Sequence, residues 1–201
     1  MPAKRALFVL VGSMILAAGC HKNTVDQSAF KSAINAYYAG KQDCIWTAAV
    51  KLPAQADTSN DEQTKGFDAL VDVGLLTRKT AEKSRFLIGS KQVNNYDLSD
   101  KGRSAWTADT SQPGYGNFCF GHLQVNTVDS FTPADPDAAK YSVTYHYGVG
   151  GVPDWANNAE IKTAFPKIAA DTSGTHMATA NVVRGENAWV VESVQDAGPG
   201  Q

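Results

Sequence analysis

Tyr141-Ser142-Val143-Thr144-Tyr145-His146-Tyr147 alternates without a break: Tyr141, Val143, Tyr145 and Tyr147 fall on one side, Ser142, Thr144 and His146 on the other. Successive side chains of an extended chain point to opposite faces, so this run predicts a strand with one face on a core and the other toward water. Gly148-Val149-Gly150-Gly151-Val152-Pro153 ends it. Upstream, Thr132–Lys140 carries Pro133 and Pro136 and reads as a turn. Before that turn, Phe120–Phe131 alternates imperfectly through Leu123, Val125 and Val128. Downstream, Asp154–Ala164 predicts a helix capped by Asp154 and ended by Pro166. His176–Arg184 and Ala188–Val194 flank Gly185-Glu186-Asn187, a hairpin signal. Residues 111–195 are thus expected to form an antiparallel β part carrying one helix, with 196–201 as a tail.

The N-terminal half has a different period. In Ser28–Ala39, Phe30, Ala33, Ile34 and Tyr37 recur at helical spacing, with Ser28 as the expected N-cap and Gly40 as the stop. Cys44–Leu52 is a short apolar segment, strand or irregular packing, closed by Pro53. Ser59-Asn60-Asp61-Glu62 has the form of a capping box ahead of a stripe through Phe67, Leu70, Val71 and Gly74. Two strands are expected next, Ser84–Ile88 and Gln92–Leu98, joined by Gly89-Ser90-Lys91.

Leu70-Val71-Asp72-Val73-Gly74-Leu75-Leu76, together with Tyr96-Asp97-Leu98-Ser99-Asp100-Lys101-Gly102-Arg103, resembles a winged-helix unit, over about 45 residues from Asp61 to Trp106. In such domains a helix ends L-x-x-x-G-L-L and the second wing strand ends Y-x-L-[ST]-x-x-G. The resemblance implies an α+β fold: an N-terminal helical, winged-helix-like part over 28–110, followed by the antiparallel β-sheet carrying one helix. It departs from the DNA-reading version in lacking a clear recognition helix, so that function is not carried over.

At the start of the chain, Lys4 and Arg5 precede an uncharged stretch, Ala6–Gly19, of 14 residues. That is the order of a secretory signal, and it falls short of the about 20 residues a spanning helix needs. Leu16-Ala17-Ala18-Gly19-Cys20 resembles the lipobox of bacterial lipoproteins. The resemblance implies a signal peptide over 1–19, cleavage before Cys20, diacylglycerol and an N-acyl chain on Cys20, and a lipidated tether over 20–27. No other cofactor is expected. His21 after the cysteine favours the outer membrane, facing the periplasm, over the inner membrane. The order of Phe118-Cys119-Phe120-Gly121, the tyrosine strand, Trp155 and Phe165-Pro166 is also similar to proteobacterial lipoproteins, a likeness to which no activity is attached.

Loss of residues 1–19 leaves 16 bases (18 less Lys4 and Arg5) against 20 acids, a net charge of −4. A mildly acidic chain lacks the basic surface that nucleic acid binding needs. Locally the balance reverses: Arg78, Lys79, Lys83, Arg85, Lys91, Lys101 and Arg103 face only Glu82, Asp97 and Asp100 between Thr77 and Arg103. This is a possible basic interaction face toward anionic headgroups or an acidic partner, or simply a solvated hairpin. Cys44 and Cys119 are left for an oxidising compartment, where a disulfide is the first expectation. Free thiols are an alternative, as is a metal half-site at Cys119-Phe120-Gly121-His122.

No catalytic constellation emerges. Ser28-Ala29-Phe30-Lys31 matches S-x-x-K but lacks the Ser-x-Asn and Lys-Thr-Gly companions of penicillin-binding enzymes. His21, His122, His146 and His176 are dispersed, and no metal site is expected. Tyr141, Tyr145, Tyr147, Trp155 and Trp189 line either a groove for glycan or protein, or, as favoured, the core. The expected function is a membrane-anchored envelope lipoprotein, a non-catalytic binding or structural accessory whose partners are the bilayer through Cys20 and an envelope protein or glycan. One rival is a periplasmic enzyme with a deep pocket joining His122 or His146 to a carboxylate. The other is a sensor or sequestering protein with a closed apolar cavity between sheet and helix.

Overall fold

The computed structural model describes residues 25–84 and 89–196. The expected signal peptide, Cys20, Arg85, most of the tether and all but the first residue of the tail lie outside them. In chain order the elements begin with α1 (Gln27–Tyr38), β1 (Asp43–Cys44), β2 (Val50–Lys51) and β3 (Ala54–Asp57). Then come α2 (Asp61–Asp72), the hairpin β4 (Leu76–Ser84) and β5 (Ser90–Leu98), α3 (Asp100–Ala105) and β6 (Trp106–Ala108). The 19-residue β7 (Tyr115–Pro133) leads to β8 (Lys140–Gly150). A 3-10 turn at Asp154–Asn157, α4 (Ala159–Ala164) and α5 (Pro166–Thr172) precede the hairpin β9 (His176–Arg184) and β10 (Trp189–Asp196).

α1 starts two residues earlier than the sequence suggests. Asp26, not Ser28, is its N-cap, and the carboxylate accepts the Ala29 N–H at 2.7 Å; an anion there also suits the positive end of the helix. Its buried stripe is Phe30, Ala33, Ile34 and Tyr38. That stripe fills the hollow of the seven-stranded antiparallel sheet, whose order is β1-β7-β8-β9-β10, with β2 and β6 also paired to β7. Against it lie Val125, Tyr141, Val143, Tyr145, Ala178, Ala180, Val182 and Trp189. Phe30 and Ile34 are fully buried, each contributing about 1.5–3 kcal/mol by apolar burial. Aromatic contacts between helix and sheet add shape: Phe30 sits 5.0 Å from Phe131, 5.2 Å from Tyr141 and 5.1 Å from Trp189.

The expected fold class is overturned. Strand accounts for 45% of the described residues against 28% helix, and the main sheet curls into a half-barrel. Six of the ten strands, β1 to β6, fall inside the 28–110 span expected to be a helical winged part. α1, although it lies in that span, packs in the hollow of the main sheet and not on the hairpin. α2 leads directly into the hairpin, and β3 adds itself to form a small sheet of order β3-β5-β4.

Two excursions from the frame of α1 and β7–β10 build a second core at one end. Residues 45–114 leave between α1 and β7, and residues 151–175 leave between β8 and β9. They share one apolar cluster, in which Leu70, Leu75 and Tyr96 from the first meet Trp155, Ile161 and Ile168 from the second, on a floor of Phe118 and Phe120 from β7. The expected helix at Asp154–Ala164 is instead the 3-10 turn and α4, separated by Asn158, whose side chain caps α4. The motif read as a wing end is a joint here. Ser99 Oγ donates to the Gly74 carbonyl at 2.6 Å and accepts the Gly102 N–H at 2.8 Å, tying the end of α2 to the start of α3.

Candidate functional site

Cys44 and Cys119 are directly opposed in the register of β1 and β7 and are joined by a disulfide across 75 residues of sequence. This settles the cysteine alternatives in favour of the bridge. His122, the other end of the C-x-x-H spacing, lines a groove with Asn35, Ala39, Leu123 and Gln124, none of them a carboxylate. Among the described residues no three His, Cys, Asp or Glu side chains gather as metal ligands.

The seven expected basic residues do not share one face. Arg78 turns toward α2 and pairs with Asp68 at 2.7 Å, where Tyr96 Oη also donates at 2.8 Å. Burial first, then the Asp68 carboxylate, pushes the Tyr96 hydroxyl above its ordinary pKa, and Asp68 holds Arg78 in its charged form. Lys79, Lys83 and Lys91 occupy the opposite face of the hairpin, with Lys83 and Lys91 directly cross-strand. Two of them already have partners: Lys83 donates to Gln55 Oε1 at 2.8 Å and Lys91 pairs with Asp57 at 2.8 Å. Lys101 and Arg103 belong to α3, where they cap the Val73 and Leu98 carbonyls. Arg85 lies outside the described residues.

On the outer face of the half-barrel, β-bulges place carboxylates. The register of β7 against β8 skips at Asn126 and again at Asp129, and that of β10 against β9 skips at Glu192. A bulge re-aims the extra side chain. Asp129 Oδ2 lies 2.6 Å from His146 Nδ1, while Thr127 Oγ1 donates to its other oxygen at 3.1 Å. Glu192 reaches across β9 to pair with Lys140. The His146–Asp129 pair stands on an open face, with side chains 40% and 35% exposed, rather than in the deep pocket the enzyme reading expects. His176 is stacked on Tyr147 and bonded to the Asp171 carbonyl.

Of the aromatic row, Tyr141, Tyr145, Trp155 and Trp189 are core residues and Tyr147 is half-buried beside them. The α1 stripe packs directly against those sheet residues. The aromatic that does border a groove is Trp46, from the segment without a period. Its N–H donates to Asn117 Oδ1 at 3.2 Å, and its carbonyl accepts from Asn117 Nδ2 at 2.7 Å. The side-chain amide thus stands in for a strand and fixes the backbone under the ring. Trp46 is half-buried, packed 6.1 Å from each of Phe67, Phe118 and Phe165. Two grooves flank the contact of α2 with α4. One, of about 370 Å³, runs over Ala69, Ala159 and Ala164 between Asp68, Asp72 and Glu160. The other, of about 280 Å³, is bordered by Trp46, Phe67 and Phe165, with Glu62, Gln63 and Lys65 on its rim.

Comparison with protein-family models, with curated proteins and with solved structures yields no match.

Proposed function

We propose that the chain is a lipid-anchored protein of the cell envelope, a non-catalytic binding or structural accessory on the periplasmic side, at the outer membrane. The observation that carries the reading is Leu16-Ala17-Ala18-Gly19-Cys20 behind a short charged-then-apolar leader. The Cys44–Cys119 bridge is in keeping with an oxidising compartment. No helix among the described residues is long and apolar enough to cross a membrane, so the hold on the bilayer in this reading comes from Cys20. Each buried acyl CH₂ contributes about 0.8 kcal/mol, and two or three chains make the anchorage stable.

The fold gives this reading a direction. The first turn of α1 lies beside Phe131, Tyr141 and Trp189, whereas the second core gathers around Phe118 and Phe120, at the other end of β7. Asp26 follows Cys20 by six chain steps, a reach of at most about 20 Å. In this reading the surfaces of α2 and α4 face away from the bilayer, toward an envelope glycan or protein.

Intact mass of the protein extracted from membranes tests the anchor. The expected chain begins at Cys20 with di- or triacyl mass, and Cys20→Ala releases the protein into the soluble fraction. An unmodified chain, or a Cys20→Ala protein still held in membranes, overturns the reading.

A further inference from the structure

The chain has three cysteines, Cys20, Cys44 and Cys119, and its native bond joins the two that lie farther along. That bond depends on parts of the fold that arrive late. β1, which carries Cys44, is two residues long and is held opposite Cys119 by β7. β7 is held in turn by β8, and α1, which leads into β1, packs against residues as far along as Ala178, Val182 and Trp189. The register that brings Cys44 to Cys119 thus waits on the C-terminal hairpin. Cys20 is the nearer partner: it lies 24 positions from Cys44, against 75 between Cys44 and Cys119. The odds of loop closure fall as the three-halves power of length, so an unfolded chain joins the shorter pair about fivefold more readily. A chain that emerges N-terminus first widens that advantage, because Cys20 and Cys44 meet the oxidant while Cys119 is still to come.

We propose that lipid attachment to Cys20 comes before oxidation of Cys44 and Cys119 and directs their pairing. The inference rests on the envelope reading for the lipid. Thioether formation exchanges the Cys20 S–H bond for an S–C bond, and the proton departs with the group displaced from the glyceryl carbon. A thioether sulfur has no thiolate form and takes no part in thiol–disulfide exchange. Cys44 and Cys119 are then the only thiols left, and one intramolecular pairing remains. Their oxidation forms the S–S bond and releases two protons and two electrons, which pass to a disulfide oxidant of the compartment, itself reduced to a dithiol. A free Cys20 acts the other way. Bonded to Cys44, it leaves Cys119 a lone thiol and takes from β1 its covalent hold on β7. The wrong bond also opposes the seating of α1, whose 12 residues make a rod of about 18 Å. To reach Cys44, the six chain steps before Asp26 would have to run back along that rod close to full extension.

The full-length precursor made in a reducing compartment, with Cys20 as a free thiol, is compared with its Cys20→Ser variant and with the acylated protein extracted from membranes. Each is reduced in urea, diluted into glutathione redox buffer, trapped with iodoacetamide at intervals and mapped by peptide mass. In the precursor, Cys20–Cys44 is expected to lead Cys44–Cys119 about fivefold in the earliest samples. The other two proteins are expected to form Cys44–Cys119 directly. The order is read in cells by pulse labelling and thiol trapping: chains with the acyl mass and both thiols still free are expected ahead of oxidised ones. Cys44–Cys119 leading in the precursor, or oxidised chains accumulating without the acyl mass, overturns the proposal. If the protein from membranes carries acyl chains and the precursor still pairs correctly from the start, the proposal falls and the envelope reading stands. Protein from membranes without acyl chains removes that reading, and the proposal with it.

Discussion

The hydroxyls of Tyr38 and Tyr145 meet 2.9 Å apart inside the hollow of the half-barrel, joining the last turn of α1 to the middle of β8. Both residues are almost wholly buried, so the pair fixes how far α1 is inserted as well as how well it packs.

Tyr145→Phe should therefore lower unfolding free energy by about 1–2 kcal/mol, because a buried hydroxyl loses one of its bonds. Replacing both tyrosines by Phe should cost less than the two single changes together. Urea unfolding of the four proteins measures the coupling; strict additivity would show that the 2.9 Å contact contributes nothing.

The disulfide predicts a larger effect. It closes a loop of 75 residues, for which chain entropy gives about 4 kcal/mol. Cys44→Ser with Cys119→Ser should lose about that much in denaturant unfolding, and added reductant should then have no further effect on the variant. A loss near zero would mean that the unfolded chain is already held compact without the bridge.

Gly102 marks where α3 crosses the end of α2. A Cβ at that position would stand 1.9 Å from the Leu75 carbonyl oxygen, a backbone atom that cannot rotate aside. Gly102→Ala is expected to cost about 3 kcal/mol or more and to shift amide resonances around Gly74 and Ser99 before others. Near-native stability would show that α3 moves freely on α2.

Asp57 sets an acid limb. Its carboxylate accepts a bond from Lys91 Nζ at 2.8 Å and from the Ser59 N–H and hydroxyl at 3.1 and 2.8 Å. These partners, Lys91 first, hold its pKa far below the ordinary carboxylate value of 3.8. A group whose folded pKa is depressed stabilises fully above its unfolded value, near pH 4, and loses that contribution as pH falls toward the folded value. Asp57→Asn should accordingly reduce stability at neutral pH and flatten its decline below about pH 4, as read from urea midpoints across pH. A variant whose acid limb matches the parent would assign that decline to other carboxylates.

What could be read in the sequence was the local periodicity, and what could not was where each segment found its partner. The stripe of α1 and the alternation of β8 were visible because each has a single period and one buried face. The period places the cap two residues late and points to Tyr37 in place of Tyr38, since only the sheet decides which of two adjacent tyrosines turns inward. β7 was seen as imperfect alternation. Its two bulges shift the period by one residue each time, so a continuous strand looks broken in sequence. The cap of α2 is Asn60, while Ser59 turns back to Asp57, because the preceding β3 engages that serine first. The winged likeness misled because its residues mark a helix–helix joint, and that joint serves more than one architecture. Trp46 left no signal at all: the strand-like hold on it comes from one side-chain amide 71 residues away.

The bridge between β1 and β7 also settles how the molecule responds to force. Tension applied at the N-terminus passes down α1 to Cys44 and, through the sulfurs, directly into Cys119 and the long strand. The 74 residues between the two cysteines hang outside that path as an unloaded loop. A pull between the chain ends therefore loads the frame and residues 151–175 directly, whereas α2 and the hairpin feel it only through the core they share with that excursion.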